Sequence, residues 1–189
     1  MTRLLITRHG ETFWNTEFRM QGRNNSPLTD KGINGAIKLG ESIADRRLDI
    51  DRCLVSPMPR ALHTAHLIRK HSGMSYPIDI EPLLIEMSLG SWEGLSYGEA
   101  TAAYPEKFKD FKTRPDKFVP VGGGETFFDV YDRASALLDK IKERYTGTVL
   151  LVSHMILVQG ILCISEGHDV SRLRENEPIL QTTLYEIEL

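Results

Sequence analysis

The sequence has little that would staple a chain covalently or carry it into a membrane. Two cysteines in 189 residues make no disulfide framework. Cys53 and Cys163 sit in apolar runs, where free thiols behave as small buried hydrophobes. A chain this long buries roughly 70% of its unfolded surface, so it needs no staple. No apolar run reaches the ~20 residues of a membrane span. The longest, Val149 to Ile164, is broken by Ser153, His154, Gln159 and Gly160. At the amino terminus Leu4, Leu5 and Ile6 are soon followed by Arg8, too early for a secretory signal core, so a cytoplasmic protein is expected. Positive charge is not in excess either. Lys and Arg total 23 against 26 Asp and Glu, a net charge of −3, which argues against nucleic acid or an anionic membrane as partner. His63, His66 and His71 share one helical stretch with no companion cysteines or carboxylates, so no metal site is expected. Repeats, low-complexity tracts and linkers are missing, and residues 1–189 read as a single domain.

What is present is an alternation of strand-like and helix-like segments. Arg3 to Thr7, Arg52 to Val55 and Thr148 to Val152 are short apolar runs that suit a buried sheet. Ile78 to Ile80 is a weaker strand, and Leu184 to Leu189 alternates as a strand with one wet face does. Helical spacing runs through Ile33, Ile37, Leu39 and Ile43, entered at Thr29 or Asp30. A second helix follows Pro57 and Pro59, with Ala61, Leu62, Ala65, Leu67 and Ile68. A third runs through Val130, Ala134, Leu137, Leu138 and Ile141, opened by Thr126 and Asp129 as a capping box with Asp in place of Glu. Met155 to Ser165 is apolar nearly all round and predicts a buried helix. This order predicts an α/β protein of three layers, α/β/α, around a mostly parallel sheet.

Residues 81–124 break the rhythm with Pro82, Pro105, Pro115 and Pro120, and with glycines up to the run Gly122-Gly123-Gly124. They read as an inserted, irregular lid with short helices near 98–104 and 106–112. Phe108, Phe111, Phe118, Phe127 and Phe128 fit a core or a substrate mouth, with the core the better reading.

In open α/β sheets ligands bind beyond the carboxyl ends of strands. The first strand is followed by Arg8-His9-Gly10-Glu11-Thr12, the second by Ser56-Pro57-Met58-Pro59-Arg60, and the central one by Ser153-His154. Two arginines and two histidines would thus meet at one sheet edge. Guanidinium forks match phosphate oxygens, and a histidine can act as nucleophile or donor, so an anion site is expected there.

The run Leu5-Ile6-Thr7-Arg8-His9-Gly10-Glu11-Thr12-Phe13-Trp14-Asn15 resembles the opening of the histidine phosphatase superfamily, in its phosphoglycerate mutase-like branch. The likeness continues through Arg19-Met20-Gln21-Gly22, Ser26-Pro27-Leu28-Thr29, Ser56-Pro57-Met58-Pro59-Arg60-Ala61 and Glu86-Met87-Ser88-Leu89-Gly90-Ser91-Trp92-Glu93-Gly94. It returns at Gly123-Gly124-Glu125 and Val152-Ser153-His154. The resemblance implies a phosphomonoesterase that acts on a small phosphorylated metabolite through a phosphohistidine, without metal or cofactor. His9 would take the phosphoryl group; Arg8, Arg60 and His154 would grip its oxygens; Asn15 would donate one more hydrogen bond. Glu86 would protonate the leaving oxygen and then deprotonate water, while Gln21 and Gly22 would lie against the rest of the substrate. Spacing alone leaves Glu11 and Glu93 as rivals for the acid. Met155 stands where glycine commonly follows the second histidine, so it is expected at the pocket and bears on substrate choice. A phosphoglycerate mutase is the alternative, with the lid cations Lys107, Lys109, Lys112, Arg114 and Lys117 as conceivable carboxylate ligands, though a solvated face suits them better. A silent phosphate- or partner-binding member is the second alternative. A homodimer is left open.

Overall fold

Five strands form one sheet, as the alternation requires. The computed structural model describes residues 1–175 and 178–189. The strands are β1 (Thr2–Arg8), β2 (Arg52–Val55), β3 (Ile78–Ile80), β4 (Gly147–Ser153) and β5 (Leu184–Glu188). Their order is β3-β2-β4-β1-β5, with β5 antiparallel to β1 and every other pairing parallel. The helices are α1 (Phe13–Thr16), α2 (Asp30–Asp45), α3 (Pro59–Ser72), α4 (Tyr97–Ala103), α5 (Pro105–Thr113), α6 (Phe127–Arg144) and α7 (Met155–Ser165).

Because side chains alternate along a strand, each inner strand feeds two cores. Leu5, Cys53, Val55, Leu150 and Val152 face Ala36, Leu39 and Ile43 of α2 and Ala61, Ala65 and Ile68 of α3. Leu4, Ile6, Leu54, Val149 and Leu151 face Val130, Ala134, Leu137 and Ile141 of α6 and Leu157 and Ile161 of α7. That is the expected three-layer sandwich. Its caps are those read from the sequence: Thr29 accepts from Gly32 N, and Thr126 and Asp129 form a reciprocal capping box. Cys53 and Cys163 are buried free thiols whose burial raises their pKa, Cys163 to about 11.

The segment over the carboxyl edge carries α4 and α5 within a residue of their expected bounds. Its centre is Trp92, fully buried, with the rings of Tyr104, Phe108, Phe111 and Phe118 at 5.5–6.0 Å. Phe111, Phe118 and Phe127 are core residues, and Phe128 is exposed. Short 3₁₀ turns at Pro82–Leu84, Gly90–Trp92 and Val170–Arg172, and the four-residue α1, carried no periodic signal because they are shorter than one amphipathic repeat.

The turn after β1 is packed backbone to backbone against the start of α2. A Cβ on Gly32 would lie 2.1 Å from Glu11 O and 2.7 Å from Glu11 N. Gly32→Ala should therefore cost about 1–3 kcal/mol, the usual penalty of overpacking. Gly98→Ala, whose Cβ would meet only Ser96 Oγ at 3.9 Å, should be neutral or stabilising by about 0.4–1 kcal/mol. Urea midpoints at unchanged m-value check both; equal stabilities for the two variants would contradict the close approach.

Candidate active site

Three parallel strands end level with one another. Arg8 is in register with Ser153, and Val55 with Val152. The ladder continues one step further, with His9 N donating to Ser153 O at 2.9 Å and Ser56 N to Val152 O at 3.0 Å. The residues after β1, β2 and β4 therefore emerge side by side. The His9 and His154 rings meet edge to face, with centroids 5.1 Å apart. Arg60 is the second residue of α3, just after Pro59.

Arg60 is 2% exposed, which is rare for arginine, and no carboxylate pairs with it among the described residues. Its Nη2 donates to Gly22 O at 2.8 Å, Nη1 to Asn24 O at 2.7 Å, and Nε to His9 Nε2 at 3.3 Å. Gly22 is placed by its φ of +50°, and a Cβ there would also strike the Glu93 carboxylate at 2.4 Å. Arg8 donates from Nη1 to Ile179 O at 3.0 Å, and its buried Nε has no partner. Burial lowers the pKa of both arginines, Arg60 to about 10, while the Glu86 charge opposes that shift. One buried and one half-buried guanidinium, hydrogen-bonded only to carbonyls and one imidazole and with no carboxylate in direct contact among the described residues, carry positive charge that a further anion would stabilise.

The same contacts fix the His9 tautomer. Nδ1 lies 2.8 Å from Gly10 O, and a carbonyl can only accept, so Nδ1 carries the proton. Nε2 then keeps its lone pair, which faces the Arg60 Nε–H. Burial first, then the charges of Arg60 and Arg8, holds the His9 pKa well below its usual value. With the ring neutral, the Nε2 lone pair can act on an electrophile without a base to free it.

A cavity opens in front of these groups. Arg8, His9, Asn15, Gln21, Gly22, Arg60, Glu86 and Met155 all line it. His154 does not. It is fully buried behind His9, with Nε2 2.7 Å from Ser56 Oγ and a buried Nδ1 that has no partner. Asn15 closes a capping box on α1 with Oδ1, accepting from Thr12 N at 3.0 Å. Gln21 donates to Thr12 Oγ1 at 2.8 Å and keeps a buried, unpartnered Oε1.

Among the three carboxylates, the cavity selects one. Glu86 lines it, with Oε1 accepting from Met87 N at 2.9 Å and Oε2 from Ile156 N at 3.4 Å. Arg133 holds the strap that carries it, donating to Leu83 O and Ile85 O and pairing with Glu125. Glu93 is occupied by the backbone N–H groups of Arg23 and Leu89. Glu11 is paired with Lys31 and Thr29.

Arg19, Met20, Leu89, Tyr97 and Ile156 also line the cavity, where the sequence had not placed them, and Phe111, read as core or substrate mouth, serves as both. Tyr97 and Phe111 come from the 81–124 segment, whose path over the sheet edge no local pattern fixes. His63 and His66 are exposed and His71 half-buried, and among the described residues no group of three or more metal-ligating side chains gathers. No helix among those residues is long and apolar enough to cross a membrane.

Residues 4–189 match the family model of the histidine phosphatase superfamily (branch 1). The chain is 31% identical to "Phosphoserine phosphatase 1" of Hydrogenobacter thermophilus, over 91% of its own length and 80% of that protein's. It is 30% identical to "Metal-independent phosphoserine phosphatase" of Arabidopsis thaliana, over 92% and 73%. Among solved structures it superposes on Bacillus stearothermophilus YhfR with a TM-score of 0.91 and 34% identity, covering 100% of this chain and 92% of that one.

Both buried histidines are expected to stay neutral as the pH falls through 6.5, because burial and the neighbouring arginines oppose protonation. Ring NMR signals of His9 and His154 should therefore show no titration midpoint at or above pH 6.5. A midpoint there for His9 would contradict the charge environment described.

Proposed function

This chain belongs to the histidine phosphatase superfamily, branch 1, and is a phosphomonoester hydrolase; we propose that it works through a phosphohistidine on His9, without metal. The observation that carries the mechanism is the neutral His9 Nε2 lying 3.3 Å from the Nε of a buried, carboxylate-free arginine. A phosphoryl group that meets Nε2 also meets the charge its transition state needs.

In the first step Nε2 attacks phosphorus, the P–N bond forms and the ester P–O bond breaks. Arg8 and Arg60 neutralise the non-bridging oxygens, with Asn15 as a further donor. His154 supports the same group from behind. With the Ser56 hydroxyl donating to its Nε2, its orphaned Nδ1 carries a proton to give. The N-termini of α3 and α7 add positive potential, since neither Met58 nor His154 caps its helix with a side chain. Glu86 gives its proton to the departing alkoxide. In the second step Glu86 takes a proton from water, the oxygen attacks phosphorus, and the P–N bond breaks to free His9 and inorganic phosphate. Gln21 and Gly22 lie against the alcohol half, and Met155 narrows the wall beside it. The guanidiniums supply the positive charge for which other phosphoryl-transfer sites use a metal ion. One relative's name, a metal-independent phosphoserine phosphatase, agrees with that reading. We take the substrate to be a small phosphorylated metabolite, as the names of the relatives suggest, and the compartment to be the cytoplasm, where two free thiols are at home.

The test is phosphate release in buffer containing EDTA. Wild type should hydrolyse both an aryl and an alkyl phosphate at rates that chelation does not change. Glu86→Gln should slow the alkyl ester by roughly 10²-fold or more, because an alkoxide needs a proton. It should barely slow the phosphoenzyme burst from p-nitrophenyl phosphate, whose leaving group needs none. Equal losses on both esters would remove Glu86 from the acid role. A rate lost on chelation and restored by Mg²⁺ would overturn the metal-free mechanism, and isomerisation of 3-phosphoglycerate outrunning phosphate release would point to the mutase.

A further inference from the structure

Glu86 is carried on a stretch of chain with no frame of its own. Residues 85–89 belong to neither helix nor strand. Side chains from three other parts of the molecule take up its carbonyls and those just before it, one after another. Arg133 of α6 donates from Nη1 to Leu83 O and Ile85 O. Ser153 Oγ, at the end of β4, donates to Leu84 O at 2.8 Å. Arg23 Nε reaches Glu86 O at 3.4 Å. Carboxylates hold the amide side. Ser88 N donates to Glu125 Oε2 at 2.8 Å and Leu89 N to Glu93 Oε1 at 3.0 Å.

One carboxylate gathers these donors. Glu125 Oε2 lies 3.1 Å from Arg133 Nη2, and Glu125 Oε1 lies 2.9 Å from Arg23 Nη2. The Glu125 N–H also donates to Ser88 O at 2.8 Å, so Glu125 grips residue 88 through both its N–H and its C=O. The approach is close enough to require the glycine before it. A Cβ on Gly124 would lie 2.8 Å from Ser88 O and 3.0 Å from Gly90 N. A carboxylate that only fastened α6 to the covering segment would need one arginine. Glu125 holds a second, and that one comes from the loop whose Gly22 O and Asn24 O cradle Arg60. The acid and the phosphate-facing arginine thus hang on supports that meet at Glu125. Neutralised, Glu125 would leave Arg133, whose side chain is only 12% exposed, without its charge partner, and would release Arg23 towards water. The stretch would then slacken on both sides of Glu86.

We propose that Glu125, with Arg133 and Arg23 as its two arms, is the positioning residue of the general acid and holds the Glu86 carboxyl in reach of the ester oxygen. Among the described residues Glu125 is outside the cavity lining, so it acts through Glu86. The inference rests on the acid role given to Glu86 above and adds the group that makes that role geometrically exact.

The experiment measures glycerol 3-phosphate hydrolysis and the phosphoenzyme burst from p-nitrophenyl phosphate in single and double variants. Glu125→Gln keeps an oxygen for Ser88 N and removes the charge that holds the two arginines. It should lower kcat on glycerol 3-phosphate roughly tenfold to a hundredfold, the cost of misplacing a reacting group by about 1 Å, with KM little changed. The aryl burst should be nearly unaffected, because its leaving group needs no proton. In a Glu86→Gln background the same substitution should cost nothing further, since the two residues act as one unit. Arg23→Gln, on an exposed side chain, should show the same pattern and carries the test where Glu125→Gln fails to fold. A folded form of either variant that slows both esters equally, slows neither, or multiplies its loss with that of Glu86→Gln would overturn the inference, since general loosening of the fold does not distinguish leaving groups. Glu86→Gln alone tests the reading beneath it. Where that variant fails to separate the two esters, the acid role falls and the positioning role with it. Where it separates them and the Glu125 and Arg23 variants do not, the positioning role falls alone.

Discussion

Two arginines without a carboxylate in direct contact are the constraint around which this molecule is arranged. Arg60 is buried and Arg8 half-buried at the cavity wall, and desolvation lowers the pKa of each. Their forks are held by main-chain oxygens of Gly22, Asn24 and Ile179, which contribute dipoles but no compensating charge. The same field keeps His9 neutral. A protein stabilises such an arrangement only through the packing around it, and gains from it only when an anion arrives.

The scaffold is the means of holding that field still. Level strand ends bring β1, β4 and β2 to one edge, and main-chain bonds carry the register on through His9 and Ser56. Thr64 Oγ1 accepts from Gly10 N at 3.0 Å and donates to Arg60 O at 2.8 Å, tying the turn after β1 to α3. Above the edge, the Trp92 cluster anchors the 81–124 segment, and Arg133 with Glu125 fixes the strap bearing Glu86. Rigid elements thus set the cavity's polar groups, and the 81–124 segment adds Glu86, Leu89, Tyr97 and Phe111 to its wall.

Much of this could be read from the sequence because its causes are local. Apolar runs of three or four residues name the inner strands. The Thr126 and Asp129 pair names the start of α6. His9, Arg60 and His154 follow strands, and the α/β architecture itself sends strand ends to one place. Eight of the nine site residues expected from the sequence line the cavity. His154 is the exception, since whether a side chain faces a cavity or backs its neighbour depends on ring packing that spacing does not encode. Glu86 could be separated from Glu11 and Glu93 only by seeing which of the three carboxylates lines the cavity. Tyr97 and Arg174 reach the cavity and its adjoining cleft by long-range packing, and no pattern in their own neighbourhoods announces it.

The central claim is that His9 Nε2, neutral and free of a proton, accepts the phosphoryl group. Wild-type protein mixed with a ³²P-labelled phosphomonoester and quenched within a single turnover tests this most directly. The account predicts label that is stable to base, labile to acid and confined by peptide mapping to His9, with none retained by His9→Ala. Label on a serine, cysteine or carboxylate, or turnover undiminished in His9→Ala, would contradict it.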